Sequence, residues 1–142
     1  MVNVRDFKKE DARAVVGLIP QLTQNIVNPD ELENRMEKIA VDSNLRAIVA
    51  EEDGKVLGFT QLSWYVIPSK GLIAWVEEVI VDEQARGKGV GRLLTERLIE
   101  IAKELGCNQV KLTASNFVAQ KLYESLGFRF KETEVMIKNL RD

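Results

Sequence analysis

The sequence predicts an α/β domain: a mixed, mostly antiparallel sheet of six or seven strands flanked by about four helices. Three observations lead there. β-rich runs and helical repeats alternate along most of the chain. An Asp-Gly pair between two apolar runs, in Glu52-Asp53-Gly54-Lys55, marks an early hairpin that a purely parallel, doubly wound sheet would not contain. The 142 residues, 45% hydrophobic and 30% charged, suit one globular domain over 1–142 with one core.

The elements follow in order. Met1 to Asp6 reads as a short first strand. A helix starts near Glu10, with Ala12, Val15, Val16 and Ile19 on one face, and Pro20 ends or kinks it. Gln21 to Val27 is polar and ambiguous. Asn28-Pro29-Asp30-Glu31 is a helix start: Asn28 can cap, Pro29 fits the first helical position, and Glu31 sits where a capping glutamate would. Leu32, Met36 and Ile39 give that helix its buried stripe. Leu45–Glu51 and Val56–Ile67 are the hairpin strands. Trp64 and Tyr65, late in the second, read as core or edge aromatics, with a pocket wall as the alternative. Pro68 to Gly71 turns into the strand Leu72–Val81.

The stretch Trp75–Leu105 organises the rest. Val76, Val79, Ile80 and Val81 surround two acids, Glu77 and Glu78. Arg86-Gly87-Lys88-Gly89-Val90-Gly91 follows, and Arg92–Leu105 then repeats as a helix with Leu94, Leu98, Ile101, Ala102 and Leu105 on one face. Strand, glycine-rich turn, helix is the order that makes an anion site. A helix start leaves N–H groups unpaired and carries partial positive charge. Glycines admit a phosphate to the backbone, and Lys88 and Arg92 add mobile charge. A pyrophosphate is the natural guest. Neither Gly-Lys-Ser/Thr nor G-x-G-x-x-G with a downstream ribose acid is present, which argues against a P-loop and a dinucleotide fold.

Gly106 is placed to end the helix, Gln109–Ala114 reads as a strand, Asn116–Leu126 as a short helix, and Gly127 as its stop. Phe128–Leu140 is β-like, as one long strand or as two with a break near Glu132-Thr133.

Composition narrows the chemistry. The net charge of −2 gives no nucleic-acid footprint. There is no histidine and one cysteine, Cys107. An internal disulfide and Ser-His or Cys-His catalysis within one chain are thereby excluded, and no metal site is expected. Cys107 reads as a small buried hydrophobe. No apolar run reaches membrane-spanning length, and Met1–Asp6 is no signal peptide, so no membrane association and a cytoplasmic location are expected.

Arg86-x-x-Gly89-x-Gly91 after a Val-Ile-Val strand resembles the acyl-CoA-binding motif of the GNAT superfamily of N-acetyltransferases. Downstream, Asn116-x-x-Ala119-x-x-x-Tyr123-x-x-x-Gly127-Phe128 resembles that family's second signature, at the right distance and on a helix. The resemblance implies the GNAT fold, with the strands Leu72–Val81 and Gln109–Ala114 as a parallel, splayed central pair holding acetyl-CoA. It implies that backbone groups of Val79, Ile80 and Val81 pair with the pantetheine arm. The amides from Arg86 to Gly91, with Lys88 and Arg92, hold the pyrophosphate, and Asn116 contacts the CoA arm. Tyr123, by position, is the acid that reprotonates the leaving thiolate. Glu77 and Glu78 are candidates for the base that takes the amine's proton. As neighbours on a regular strand they face opposite sides, so one reaches the pocket unless a bulge intervenes, and similarity to small-amine members favours Glu78. Members that acetylate ribosomal protein N-termini commonly carry a glutamate where this chain has Lys111. The acceptor implied is therefore an amine-bearing small molecule, with a peptide or protein amine and a non-catalytic acyl-CoA-binding module as alternatives, and a homodimer as a possible assembly. The first helix pair and its connecting loop are implied to set substrate specificity.

Overall fold

The computed structural model describes residues 1–23 and 27–141. Most of Gln21–Val27 is thus described, and residues 24–26 lie outside the described part.

The chain runs β1 (Asn3–Asp6), α1 (Ala12–Leu18), α2 (Pro29–Val41), β2 (Leu45–Glu52), β3 (Lys55–Ile67), β4 (Gly71–Val81), α3 (Val90–Leu105), β5 (Gln109–Lys111) and α4 (Phe117–Ser125). The strands lie side by side in sequence order. The first three pairings are antiparallel, and β4 with β5 is parallel.

Local chemistry sets the joints. The β2–β3 hairpin turns on Asp53 and Gly54, both at positive φ, as the tight primed turns require. Asn28 caps α2, its Oδ1 accepting from the Asp30 N–H at 2.9 Å. Glu31 does not return the bond. It pairs instead with Arg35 one turn on, at 2.9 Å. Pro20 falls in a short 3₁₀ turn, Ile19–Gln21, directly after α1.

The helices divide between the two faces. α1 and α2 cover one, with Val15, Leu18, Leu32 and Met36 packed on Val49, Phe59 and Ile80. α3 covers the other, with Val90, Leu94, Leu98 and Ile101 on Ile48, Leu57, Leu62 and Val76. Gly58 lets α3 approach closely: a Cβ there would lie 3.0 Å from Val90 and Leu94 and 2.9 Å from the Ile80 carbonyl.

Two expectations are corrected. Among the described residues the sheet has five strands, not six or seven. Phe128–Leu140, β-like by composition, forms no strand, and Phe130, Val135, Met136 and Ile137 are exposed. The fifth strand ends at Lys111 rather than Ala114. Both differences have one cause. β-propensity is realised only against a neighbouring strand, and β5 presents three residues of ladder before it leaves β4.

Candidate acyl-transfer site

The site begins at an irregularity in β4. Gln61 is opposite Glu77 and Phe59 is opposite Ile80, so Thr60 alone faces both Glu78 and Val79. This is a β-bulge, and Glu78 takes φ 52, a left-handed conformation uncommon for a side-chain-bearing residue. Thr60, fully buried, donates its hydroxyl to the Glu77 carbonyl at 3.2 Å. The extra residue reverses the alternation of side chains. Val76 packs with α3, and an unbroken strand would send Ile80 to that same face; Ile80 instead packs under α1 and α2, while Val79 and Val81 turn to α3.

The bulge lies where the sheet opens. β5 pairs with β4 only at Ile73, Ala74 and Trp75. From Val76 to Val81 that edge of β4 has no strand partner among the described residues, and its backbone groups are available to a ligand.

At the end of β4 the chain turns through Glu83–Ala85, capped by Asp82, whose Oδ1 accepts from the Gln84 N–H at 3.0 Å. Gln21, the last residue of the 3₁₀ turn after α1, accepts from the Glu83 N–H at 2.9 Å and ties the turn to the opposite layer. Buried Ala85 anchors it from below. Arg86, Gly87, Lys88 and Gly89 are exposed. Gly89 begins α3 at φ 77, a conformation that favours glycine, and no side chain caps the helix. The first helical bond runs from Leu93 to the Gly89 carbonyl, which leaves the N–H groups of Val90, Gly91 and Arg92 directed out of the helix end. By contrast α2 and α4 both start under asparagine caps. Lys88 lies 3.5 Å from Glu52, and Arg92 donates to Ser125 Oγ at 2.7 Å, drawing α4 beside this end of α3.

α4 starts at Asn116, whose Oδ1 accepts from the Ala119 N–H at 2.8 Å. The side chain thus caps its own helix, and its amide nitrogen is the group left to face a ligand. The helix stops at Gly127, φ 95, where the Phe128 N–H returns to the Tyr123 carbonyl at 3.0 Å. That reversal lays Phe128 edge-on against Tyr123, with ring centroids 5.9 Å apart. Burial pushes the Tyr123 hydroxyl above the ordinary phenol range. No buried side-chain polar atom among the described residues lacks a partner, and the Tyr123 hydroxyl makes no hydrogen bond; its oxygen is therefore not fully sealed from solvent, although the residue is buried.

Glu77 alternates with Val76 and so points away from α3, on the face of Trp75. Glu77 is exposed to solvent, yet desolvation by the chain around it, and then the neighbouring Glu78 carboxylate, hold its carboxyl above the usual range. Sequence reasoning named both acids and favoured Glu78; it missed Thr60 and Gln61, because nothing in a strand pattern announces the partner of a bulge. Trp75 and Tyr65 lie further along this face, joined by a 2.9 Å bond from the indole N–H to the phenol oxygen. Cys107 is half-buried beside the α3 cluster, with its thiol pushed up by burial, as fits a packing residue.

An open strand edge, a bulge bearing acids and an uncapped helix start with two cations thus follow one another from β4 into α3. Residues 15–128 match the model of the acetyltransferase (GNAT) family, and the chain belongs to that family, whose members are acetyl-CoA-dependent N-acetyltransferases. A glucosamine 6-phosphate N-acetyltransferase of Arabidopsis thaliana is 29% identical over 140 residues, covering 93% of each chain. A probable glucosamine 6-phosphate N-acetyltransferase 2 of rice is 40% identical over 67 residues, 47% of this chain and 40% of that protein. The chain thus spans less than half of the rice relative's length. The crystal structure of glucosamine-6-phosphate N-acetyltransferase from Arabidopsis thaliana superposes with a TM-score of 0.83 at 26% identity, over 99% of both chains.

Proposed function

We propose that this chain transfers the acetyl group of acetyl-CoA to the primary amine of a small molecule. The observation that carries the reading is the bulge at Glu78, which stands beside an open strand edge and upstream of an uncapped helix start. The pyrophosphate is received by the amides of Gly87 to Arg92, with Lys88 and Arg92 as counter-charges. The pantetheine arm pairs with the backbone of Val79 to Val81 as an added strand would, and the Asn116 amide contacts it.

The amine nitrogen attacks the thioester carbonyl; a C–N bond forms and the C–S bond breaks. An alkylamine of pKa about 10.4 is on the order of one part in a thousand neutral at pH 7, so its proton needs an acceptor. Glu77 takes it, directly or through water, and its raised proton affinity suits that task. Glu78 lifts that affinity by charge. Tyr123 gives its hydroxyl proton to the departing thiolate, and solvent restores it. Its oxygen, not fully sealed from solvent, supports that role.

The named activity of the relatives favours a small amine, and an amino-sugar phosphate is the first compound to try. A mass-detected screen of small amines, peptides and protein N-termini with acetyl-CoA is the test. Acetylated small amines are expected; turnover confined to peptides would replace the acceptor class, and CoA binding without any turnover would leave a binding module.

A further inference from the structure

Residues 133–139 lie between bends at Glu132 and Leu140 and form neither helix nor strand, although Val135 and Ile137 give the run strand composition. Every residue from 131 to 140 is exposed, with Met136 at 94%, Ile137 at 86% and Leu140 at 88%. With Phe130 and Val135, also exposed, these residues leave on the order of 800 Å² of surface in water, about what each partner brings to a standard interface. Contiguous apolar surface on this scale marks a contact face.

The rest of the described chain offers this run no partner. Residues 129–141 make no backbone hydrogen bond among the described residues. Both edges of the sheet are short: β1 has four residues and β5 three. Neither can pair a strand as long as 133–139. Glu134 and Lys138 have no ion-pair partner among the described residues.

A second copy of the run fits it. Glu134-Val135-Met136-Ile137-Lys138 is self-complementary about its centre. Two copies laid antiparallel, with a two-fold axis at Met136, set Glu134 opposite the partner's Lys138 and Val135 opposite the partner's Ile137. Side chains alternate along a strand, so both aliphatic pairs fall on one face and both ion pairs on the other, around the two methionines. Moving the axis by one residue either way sets Met136 against Glu134 or Lys138. A parallel, in-register pair sets like charges opposite each other, which is unfavourable. Charge therefore selects both direction and register.

We propose that residues 133–139 form the two-fold interface of a homodimer, in which each copy supplies the strand that the other lacks. The contact is isologous, the same patch on both subunits. A two-stranded ribbon is marginal in isolation, so the association is expected to be moderate, with Kd of about 1–10 μM.

Sedimentation velocity of the full chain over about 1–100 μM, at low ionic strength where exposed charges are least screened, is the test. The protein is expected to pass from monomer to dimer across that range and to go no further. Glu134→Lys places lysine opposite lysine at both symmetric contacts, and Lys138→Glu places carboxylate opposite carboxylate. Each is expected to weaken the dimer at least about tenfold. Glu134→Lys/Lys138→Glu restores both pairs and is expected to restore the dimer. Melting temperature and acetyl-CoA affinity, expected unchanged at these exposed positions, report that each variant folds. A monomer throughout the range overturns the proposal. A dimer that ignores the single exchanges, or that the double exchange fails to restore, forms through another surface and overturns it as well. Assemblies that keep growing with concentration would show open-ended strand stacking in place of a two-fold pair, and would also overturn it.

Discussion

Gly58→Ala probes the joint between the sheet and α3, the helix proposed to receive the pyrophosphate. The new Cβ would stand 2.9 Å from the Ile80 carbonyl oxygen and 3.0 Å from side-chain carbons of Val90 and Leu94. None of these can step aside easily. Ile80 is fixed by its pairing with Phe59 next to the bulge. Val90 and Leu94 are fully buried, and a helical valine is stiff about χ1. A few tenths of an ångström must come from moving α3 off the sheet. Overpacking of this kind costs about 1–3 kcal/mol, which for a chain of 142 residues is a fall in melting temperature of about 4–12 °C. Val90 opens α3, so the amides proposed to receive the pyrophosphate move with it, and acetyl-CoA affinity is expected to weaken about tenfold. Gly17→Ala is the internal control. Its Cβ meets nothing within 4 Å, and alanine in a helix is favoured by about 0.5–1 kcal/mol. Calorimetry and acetyl-CoA titration of both variants decide the matter. A Gly58→Ala protein as stable as the parent, with parental affinity, refutes the close approach and its coupling to the cradle.

Three further outcomes are expected. Tyr123→Phe should lower kcat about a hundredfold or more while acetyl-CoA affinity holds, as removal of a general acid does; unchanged turnover removes the role. Glu78→Gln should move the acid limb of the kcat/KM profile to lower pH, because Glu78 is the second of two causes raising Glu77, and desolvation should keep the limb above an ordinary glutamate. A limb that stays put assigns the base elsewhere. Asp11 accepts from Arg5 through both oxygens, at 2.8 and 2.9 Å, and that pairing holds its carboxyl below the usual carboxylate range. A depressed carboxyl contributes stability that is full above its unfolded pKa of about 3.9 and is lost as pH falls through the folded value. Asp11→Asn should therefore cost about 1–3 kcal/mol at neutral pH and flatten the decline below about pH 4 in urea unfolding; an unaltered acid decline would contradict this.

Much of the fold was legible because its signals are local. The Asp53-Gly54 turn, the Asn28 cap and the Gly127 stop each act over a few residues and lie where the sequence put them. So does the order of strand, glycine-rich turn and helix from β4 to α3. What stayed hidden depends on partners far along the chain. The bulge arises between Thr60 and Glu78, and the run Val76–Val81 carries no mark of an extra residue until its partner strand is in place. Phe128–Leu140 shows the converse: a good strand composition has no effect without an edge to join.

Amide hydrogen exchange with and without acetyl-CoA reaches the central claim most directly. If thioester and diphosphate lie along β4 and the start of α3, protection will concentrate at Val79 to Val81 and at Gly87 to Arg92, with Val56 to Thr60 unchanged. Saturating acetyl-CoA that leaves both stretches exchanging as before would contradict the account.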